Sequence, residues 1–131
     1  MRRRIHRWLQ LKSVFILFAW LVTFAVVYLS LKPPSKDTVI LYFLFTRIDL
    51  ALHFICYFFV SQIYFMAFFT YSKTLIKAFS SALLLGLLME IIQPLPLFNR
   101  NFDLLDICAN FIGAALGIIL IRFLFKDSLK D

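Results

Sequence analysis

Between Lys12 and Lys32 the chain runs for 19 residues without a charge. Coiled as a helix rising about 1.5 Å per residue, such a stretch crosses the ~30 Å hydrocarbon core of a bilayer. Three more long apolar stretches follow, at about 50–71, 78–97 and 104–121. The expected fold class is all-α: a polytopic membrane protein built as a four-transmembrane-helix bundle, with 1–131 as one transmembrane domain. Bulk composition closes off the alternatives. Apolar residues make up 63% of the chain and charged residues 16%, against roughly 45–50% and 25% in soluble domains. That leaves too little polar surface for a soluble enzyme, while 3 Gly, 4 Pro and 2 Cys exclude a collagen or a disulfide scaffold. The first run exceeds a signal-peptide core and no small-x-small cleavage site follows it before Pro33 and Pro34, so an uncleaved anchor is expected. Pro94 and Pro96 should end or kink the third span, because neither donates a backbone hydrogen bond.

The net charge of +7 resides in residues that flank apolar runs and form no basic stripe, so nucleic acid is not an expected partner. The distribution reads as topology. With a cytoplasmic N-terminus, ten of the 14 Lys and Arg residues fall on the inner side and only Lys32, Lys36, Arg47 and Arg100 on the outer. The positive-inside rule then makes this a multi-pass cell-membrane protein with both termini cytoplasmic. The nine-residue stretch 38–46 is too short to cross; with Asp37 as a helix cap it is expected to form a short outer interfacial segment.

Several polar residues sit where a bilayer makes them expensive, at about 2.5–3.5 kcal/mol for each ionisable group on insertion scales. They are Asp49 and His53 at the start of span two, Glu90 and Gln93 in span three, and Asp106 and Asn110 at the start of span four, with Arg100 and Asp103 in the preceding loop. Spans two and four enter from outside and span three travels outward, so all of these converge near the outer face. Ala82, Gly86, Glu90 and Gln93 share one helical stripe; Asp106, Asn110, Gly113 and Gly117 share another. Docked against each other, the two stripes would set Gly86 near Gly113, Ala82 near Gly117 and Glu90 near Asn110, the small residues letting the backbones approach. Asp49, His53 and Cys56 form a third stripe.

The pattern Asp49-x-x-x-His53-Phe54, Glu90-x-x-Gln93 and Arg100-x-x-Asp103-x-x-Asp106-x-x-x-Asn110-x-x-Gly113-x-x-x-Gly117 resembles that of the VanZ-like membrane proteins. The resemblance covers about 49–121, and its second half is the more specific. Members commonly carry Lys directly after the first Asp, where this chain has Leu50 with Arg47 nearby. The resemblance implies an integral cell-envelope protein, the founding members being linked to low-level teicoplanin resistance. It implies no settled reaction.

Each polar residue has a functional and a structural reading. Glu90, Gln93 and Asn110 bind a ligand or act as hydrogen-bonding glue between spans. His53 is a proton carrier near neutral pH or a simple hydrogen-bond partner. Arg100 binds an outer phosphate or carboxylate, its planar fork suiting both, or forms a loop salt bridge with Asp103 and Asp106. Asp49, His53, Glu90 and Asp106 would make an oxygen-rich metal set suited to Mg²⁺ or Mn²⁺, but without His-Glu-x-x-His or Cys-x-x-Cys no metal is expected. Cys56 reads as a small hydrophobe, and its pairing with Cys108 is left open. The Phe-rich face of span two is expected to contact lipid. Two functions fit. One is an envelope protein that lowers susceptibility to teicoplanin-type lipoglycopeptides through an outward-facing polar pocket. The other is a membrane enzyme acting on a lipid-linked, phosphate-bearing intermediate, with His53, Glu90 and Asp106 as the candidate acid-base groups. A membrane lipid or lipid-linked envelope precursor is the partner class in view, and the sequence names no cofactor.

Overall fold

The structure is a computed structural model that describes residues 11–32, 48–69, 71–98 and 100–126. The expected interfacial segment at 38–46 lies outside the described residues, as do Lys36 and Arg47. Among the described residues every regular element is helical: α1 (Lys12–Leu31), α2 (Ile48–Phe68), α3 (Thr74–Ile92) and α4 (Leu104–Leu124). At 19 to 21 residues each, all four are long and apolar enough to cross a membrane.

The helix ends differ from the sequence expectation where local chemistry intervenes. α3 stops at Ile92 instead of running to 97, because Pro94 and Pro96 cannot continue the hydrogen-bond ladder; the chain turns there and does not kink onward. The helix also starts at Thr74, four residues before the expected 78. Ahead of it, α2 ends at Phe68 rather than 71, and the Thr74 hydroxyl shares its one proton between the Phe68 and Tyr71 carbonyls, at 3.0 and 2.5 Å, tying the turn together. Lys73 takes the left-handed conformation in that turn, at φ 56°. At the start of α4, Asp103 accepts a hydrogen bond from the Leu105 amide at 2.8 Å, an N-cap that satisfies one of the helix's free donors.

Many large apolar side chains point outward, and small or polar ones fill much of the interior between the few bulky residues buried there. Leu17, Phe24, Leu84 and Phe123 are exposed, whereas Ala78, Ala82, Ala114 and Ser61 are fully buried. Without a hydrophobic force between helices in lipid, such bundles gain their association energy from close backbone packing. The most extensive interface joins α2 and α4, and it corrects the expected pairing of stripes. Gly113 and Gly117 face α2, not α3. A Cβ on Gly113 would collide with the Phe54 carbonyl group, and one on Gly117 would collide with the Phe58 carbonyl oxygen and the Ser61 hydroxyl. Gly86 lies not against Gly113 but against the Asn110 amide and the Tyr57 ring, each 3.1 Å from where its Cβ would be. The reason is steric: α2 is the helix richest in bulky side chains, and only a glycine face lets a neighbour reach its backbone.

The Phe-rich face of α2 is divided, which corrects the expectation of lipid contact throughout. Phe59 is exposed, but Phe65 is fully buried and packs on Phe69 and Phe125, filling the end of the bundle opposite the polar residues. α1 is the least embedded helix, with only Ala19 and Val26 buried. Three kinds of contact hold it. Midway along, Tyr64 donates to the Thr23 hydroxyl oxygen at 2.6 Å, since the Thr23 proton is committed to the Ala19 carbonyl. At one end the Lys12 ammonium sits 4.3 Å over the Tyr71 ring. At the other, its last carbonyls accept from Gln93 and Arg100.

Candidate functional site

Chain direction sorts the charges. α2 and α4 both begin at the same end of the bundle, so Asp49 and Asp106 occupy first helical turns where the helix dipole favours carboxylates. α1 ends there, and its unsatisfied C-terminal carbonyls draw donors instead. Arg100 Nη1 donates to the Ser30 carbonyl at 3.1 Å and Gln93 Nε2 to the same oxygen at 3.2 Å. The depth order follows side-chain exposure: Asp49 34%, Arg100 24%, His53 12%, Asp106 9% and Glu90 0%.

His53 is the hub. Its Nδ1 lies 3.0 Å from Asn110 Oδ1 and 3.9 Å from Glu90 Oε1, and its Nε2 lies 3.6 Å from Asp106 Oδ2 and 3.9 Å from Asp49 Oδ1. An amide oxygen only accepts, so Nδ1 carries the proton of that contact, and Nε2 faces two carboxylates. Arg100 Nη2 stands 3.9 Å from Asp49 Oδ2 and contributes a permanent positive charge at this mouth. The site thus brings together Asp49, His53, Glu90, Asp106, Asn110 and Arg100 from two helices that start here, one that ends here and the intervening loop. Gln93 is buried beside them but serves α1, and Asp103 serves as the α4 cap.

Beneath His53 the polar groups are unpaired. Both Glu90 carboxylate oxygens, the Tyr57 hydroxyl and Asn110 Nδ2 are buried without a hydrogen-bond partner. Native structures leave few such groups, each costing about 1–3 kcal/mol. Two of the residues that carry them, Tyr57 and Asn110, meet at Gly86 of α3. Sequence reasoning passed over Tyr57, although it continues the 49, 53 stripe by one more turn and Ser61 extends it again. The signal was the four-residue period, and a Tyr in a Phe-rich span conceals it.

The expected phosphate-binding role of Arg100 meets a guanidinium already held by Ser30, by the Leu29 carbonyl at 3.5 Å and by Asp49, so an anion there has to compete with these contacts. Cys56 is half-buried, Cys108 exposed, and both are free thiols. A separate cavity of about 340 Å³ lies between α1, α2 and α3, lined by Ala19, Trp20, Leu84 and Leu88 around the Thr23–Tyr64 pair. Its walls are apolar and it holds none of the ionisable cluster. No protein-family model, no curated protein and no solved structure matches this chain.

Proposed function

We propose that this chain is a cell-envelope membrane protein of the VanZ-like kind, with both termini cytoplasmic and the polar end of the bundle facing outward, where it lowers susceptibility to teicoplanin-type lipoglycopeptides. The observation that supports a pocket function over simple packing is the set of three carboxylates around one imidazole, with Arg100 against the outermost of them and Glu90 wholly buried without a hydrogen bond. Interhelical glue satisfies its own hydrogen bonds; this cluster does not. Teicoplanin differs from simpler glycopeptides in carrying a lipid tail, and a polar pocket at the outer membrane surface is suited to the headgroup region where such a molecule anchors. The test is expression in a susceptible host, comparing teicoplanin with vancomycin. The expected result is raised tolerance of teicoplanin alone, lost with His53→Ala and with Glu90→Ala, the double variant being little worse than the worse single because one unit is broken either way. Unchanged susceptibility at verified membrane levels would sink the proposal, and strictly additive losses would remove the shared site.

A second reading has one specific observation in its favour: carboxylates approach both ring nitrogens of His53, Glu90 on the Nδ1 side and Asp106 on the Nε2 side. That is the arrangement of a proton relay, and it suits acid-base chemistry on a lipid-linked, phosphate-bearing envelope intermediate. Glu90→Gln preserves shape and removes the base. Under this reading it causes the intermediate to accumulate in extracted lipids; a normal lipid profile counts against turnover.

A further inference from the structure

We infer that Asp49, His53 and Asp106 form a binding site for one divalent transition-metal cation of the Zn²⁺ or Mn²⁺ class at the polar end of the bundle. The inference goes beyond the readings above and is measured without reference to them. The sequence carries no metal motif, and the three ligands come from two helices that only the fold brings together.

Three observations carry it. The first is spacing. The Asp49 oxygen and the Asp106 oxygen lie 3.9 and 3.6 Å from His53 Nε2, and all three donor atoms fall within 4.8 Å of one another. These separations are too long for hydrogen bonds. Donors about 2.0–2.2 Å from a metal and opened to roughly 110–125° stand about 3.3–3.9 Å apart, so the two pairs that include Nε2 have the separation of ligands that share an ion, and the two carboxylate oxygens reach it by a side-chain rotation of some tenths of an ångström.

The second is tautomer. A metal-binding histidine characteristically donates its other ring N–H to a fixed acceptor, which turns the free lone pair toward the metal. The 3.0 Å contact from His53 Nδ1 to Asn110 Oδ1 suits that arrangement and leaves Nε2 facing two carboxylates. A metal ion bound there takes the place of a proton between Nε2 and the two carboxylates.

The third is a buried ligand whose polar contacts all belong to the site. The Asp106 side chain is nine-tenths buried and accepts no hydrogen bond among the described residues; its neighbours are His53 Nε2 at 3.6 Å and the Asp49 carboxylate. Deeper still, Glu90 is fully buried with both oxygens unpaired. Among the described residues the cluster sets three carboxyl groups, on Asp49, Glu90 and Asp106, against the Arg100 guanidinium, an acidic composition suited to a divalent cation. Three protein ligands leave positions open to water or to an oxygen of a bound molecule, as in catalytic rather than structural zinc sites. One imidazole in the set favours Zn²⁺ over Mg²⁺, and the affinity order of divalent ions places Zn²⁺ above Mn²⁺.

The experiment uses the full chain in detergent, purified through a histidine-free tag in a Cys56→Ala, Cys108→Ser background so that thiols are not ligands. Mn²⁺ alone is titrated and followed by electron paramagnetic resonance. The expected result is one saturable Mn²⁺ per chain, displaced by equimolar Zn²⁺ but not by equimolar Mg²⁺, with nitrogen hyperfine coupling from one imidazole. Asp106→Asn and His53→Gln weaken binding about tenfold or more, and Asn110→Ala, which frees the ring without touching a ligand, weakens it within the 10–100-fold range typical of such supporting residues. Tyr71→Phe, at the far end of the bundle, leaves it unchanged. Absence of saturable binding at roughly millimolar Mn²⁺, or binding without the imidazole coupling, overturns the site on the wild-type ligand set alone. Equal affinity in folded Asp106→Asn assigns the ion elsewhere and overturns it too. A teicoplanin effect without metal binding, or the converse, keeps the two conclusions separate.

Discussion

Replacing Gly113 by alanine adds a single methyl group at the closest approach in the bundle, and its cost follows from what that methyl meets. The added carbon would lie 3.0 Å from the Phe54 carbonyl carbon and 3.1 Å from its Cα, with the carbonyl oxygen nearer still. These are backbone atoms within α2, so no rotamer change relieves the overlap and the two helices must part by about 1 Å. Overpacking of this kind costs about 1–3 kcal/mol. Alanine's better helix propensity offsets up to about 1 kcal/mol of it. The net expectation is a loss of about 1–2 kcal/mol, a factor of roughly 5–30 in the folded-to-unfolded ratio. The displacement also strikes the site. Phe54 adjoins His53, and Gly113 is one turn from Asn110, so separating the helices stretches the 3.0 Å contact between His53 and Asn110. The assay is equilibrium unfolding in mixed detergent micelles, read by circular dichroism and tryptophan fluorescence. Gly86→Ala is the comparison: its new methyl meets the Asn110 amide nitrogen and the Tyr57 ring at 3.1 Å, side-chain atoms that shift by tenths of an ångström, so its loss is smaller. A Gly113→Ala midpoint at or above wild type, or a Gly86→Ala loss exceeding that of Gly113→Ala, would refute the assignment of the glycine face of α4 to α2.

Three other expectations are independent of that interface. Single cysteines at positions 73 and 100, in a background lacking Cys56 and Cys108, should react with an impermeant outside reagent only at 100; reaction at 73 overturns the orientation inferred from Lys and Arg placement. Tyr57→Phe removes a buried hydroxyl that has no partner, so stability should hold or rise by up to about 1 kcal/mol, and a clear loss in chemical unfolding means that the hydroxyl is satisfied in the membrane. Hydrogen bonding to the Lys12 ammonium and its charge, with Lys77 contributing less, hold the exposed Tyr71 phenol below its ordinary value of about 10. A cation favours the phenolate, so Lys12→Gln should move the Tyr71 transition to higher pH in an ultraviolet titration referenced to Tyr71→Phe; no movement separates α1 from that end of the bundle.

The class of this protein was legible from runs of hydrophobicity, because a bilayer imposes one constraint, length, that a linear chain displays directly. Four apolar helices at nearly the expected places are the result, and even the end of α3 was written in Pro94 and Pro96. Depth was legible too: Asp49, His53, Glu90 and Asp106 sit at one end because helix rise converts sequence position into height. Azimuth was not. The period of a helix shows which residues share a face but not which neighbour that face meets, and here the glycine stripe of α4 took α2 in place of α3, since closeness of backbones depends on the bulk of both partners at once. Arg100 and Gln93 looked like ligand-binding groups, and the fold spends them on the carbonyls of Ser30 and Leu29, acceptors contributed by backbone and therefore invisible in side-chain identities. Tyr57 and the orientation of His53 by Asn110 likewise exist only through packing. Sequence thus determined that polar groups would meet at one end of a membrane bundle. Only the tertiary structure decided which atoms face one another across it, because that follows from the mutual fit of three helices and not from the pattern along any one of them.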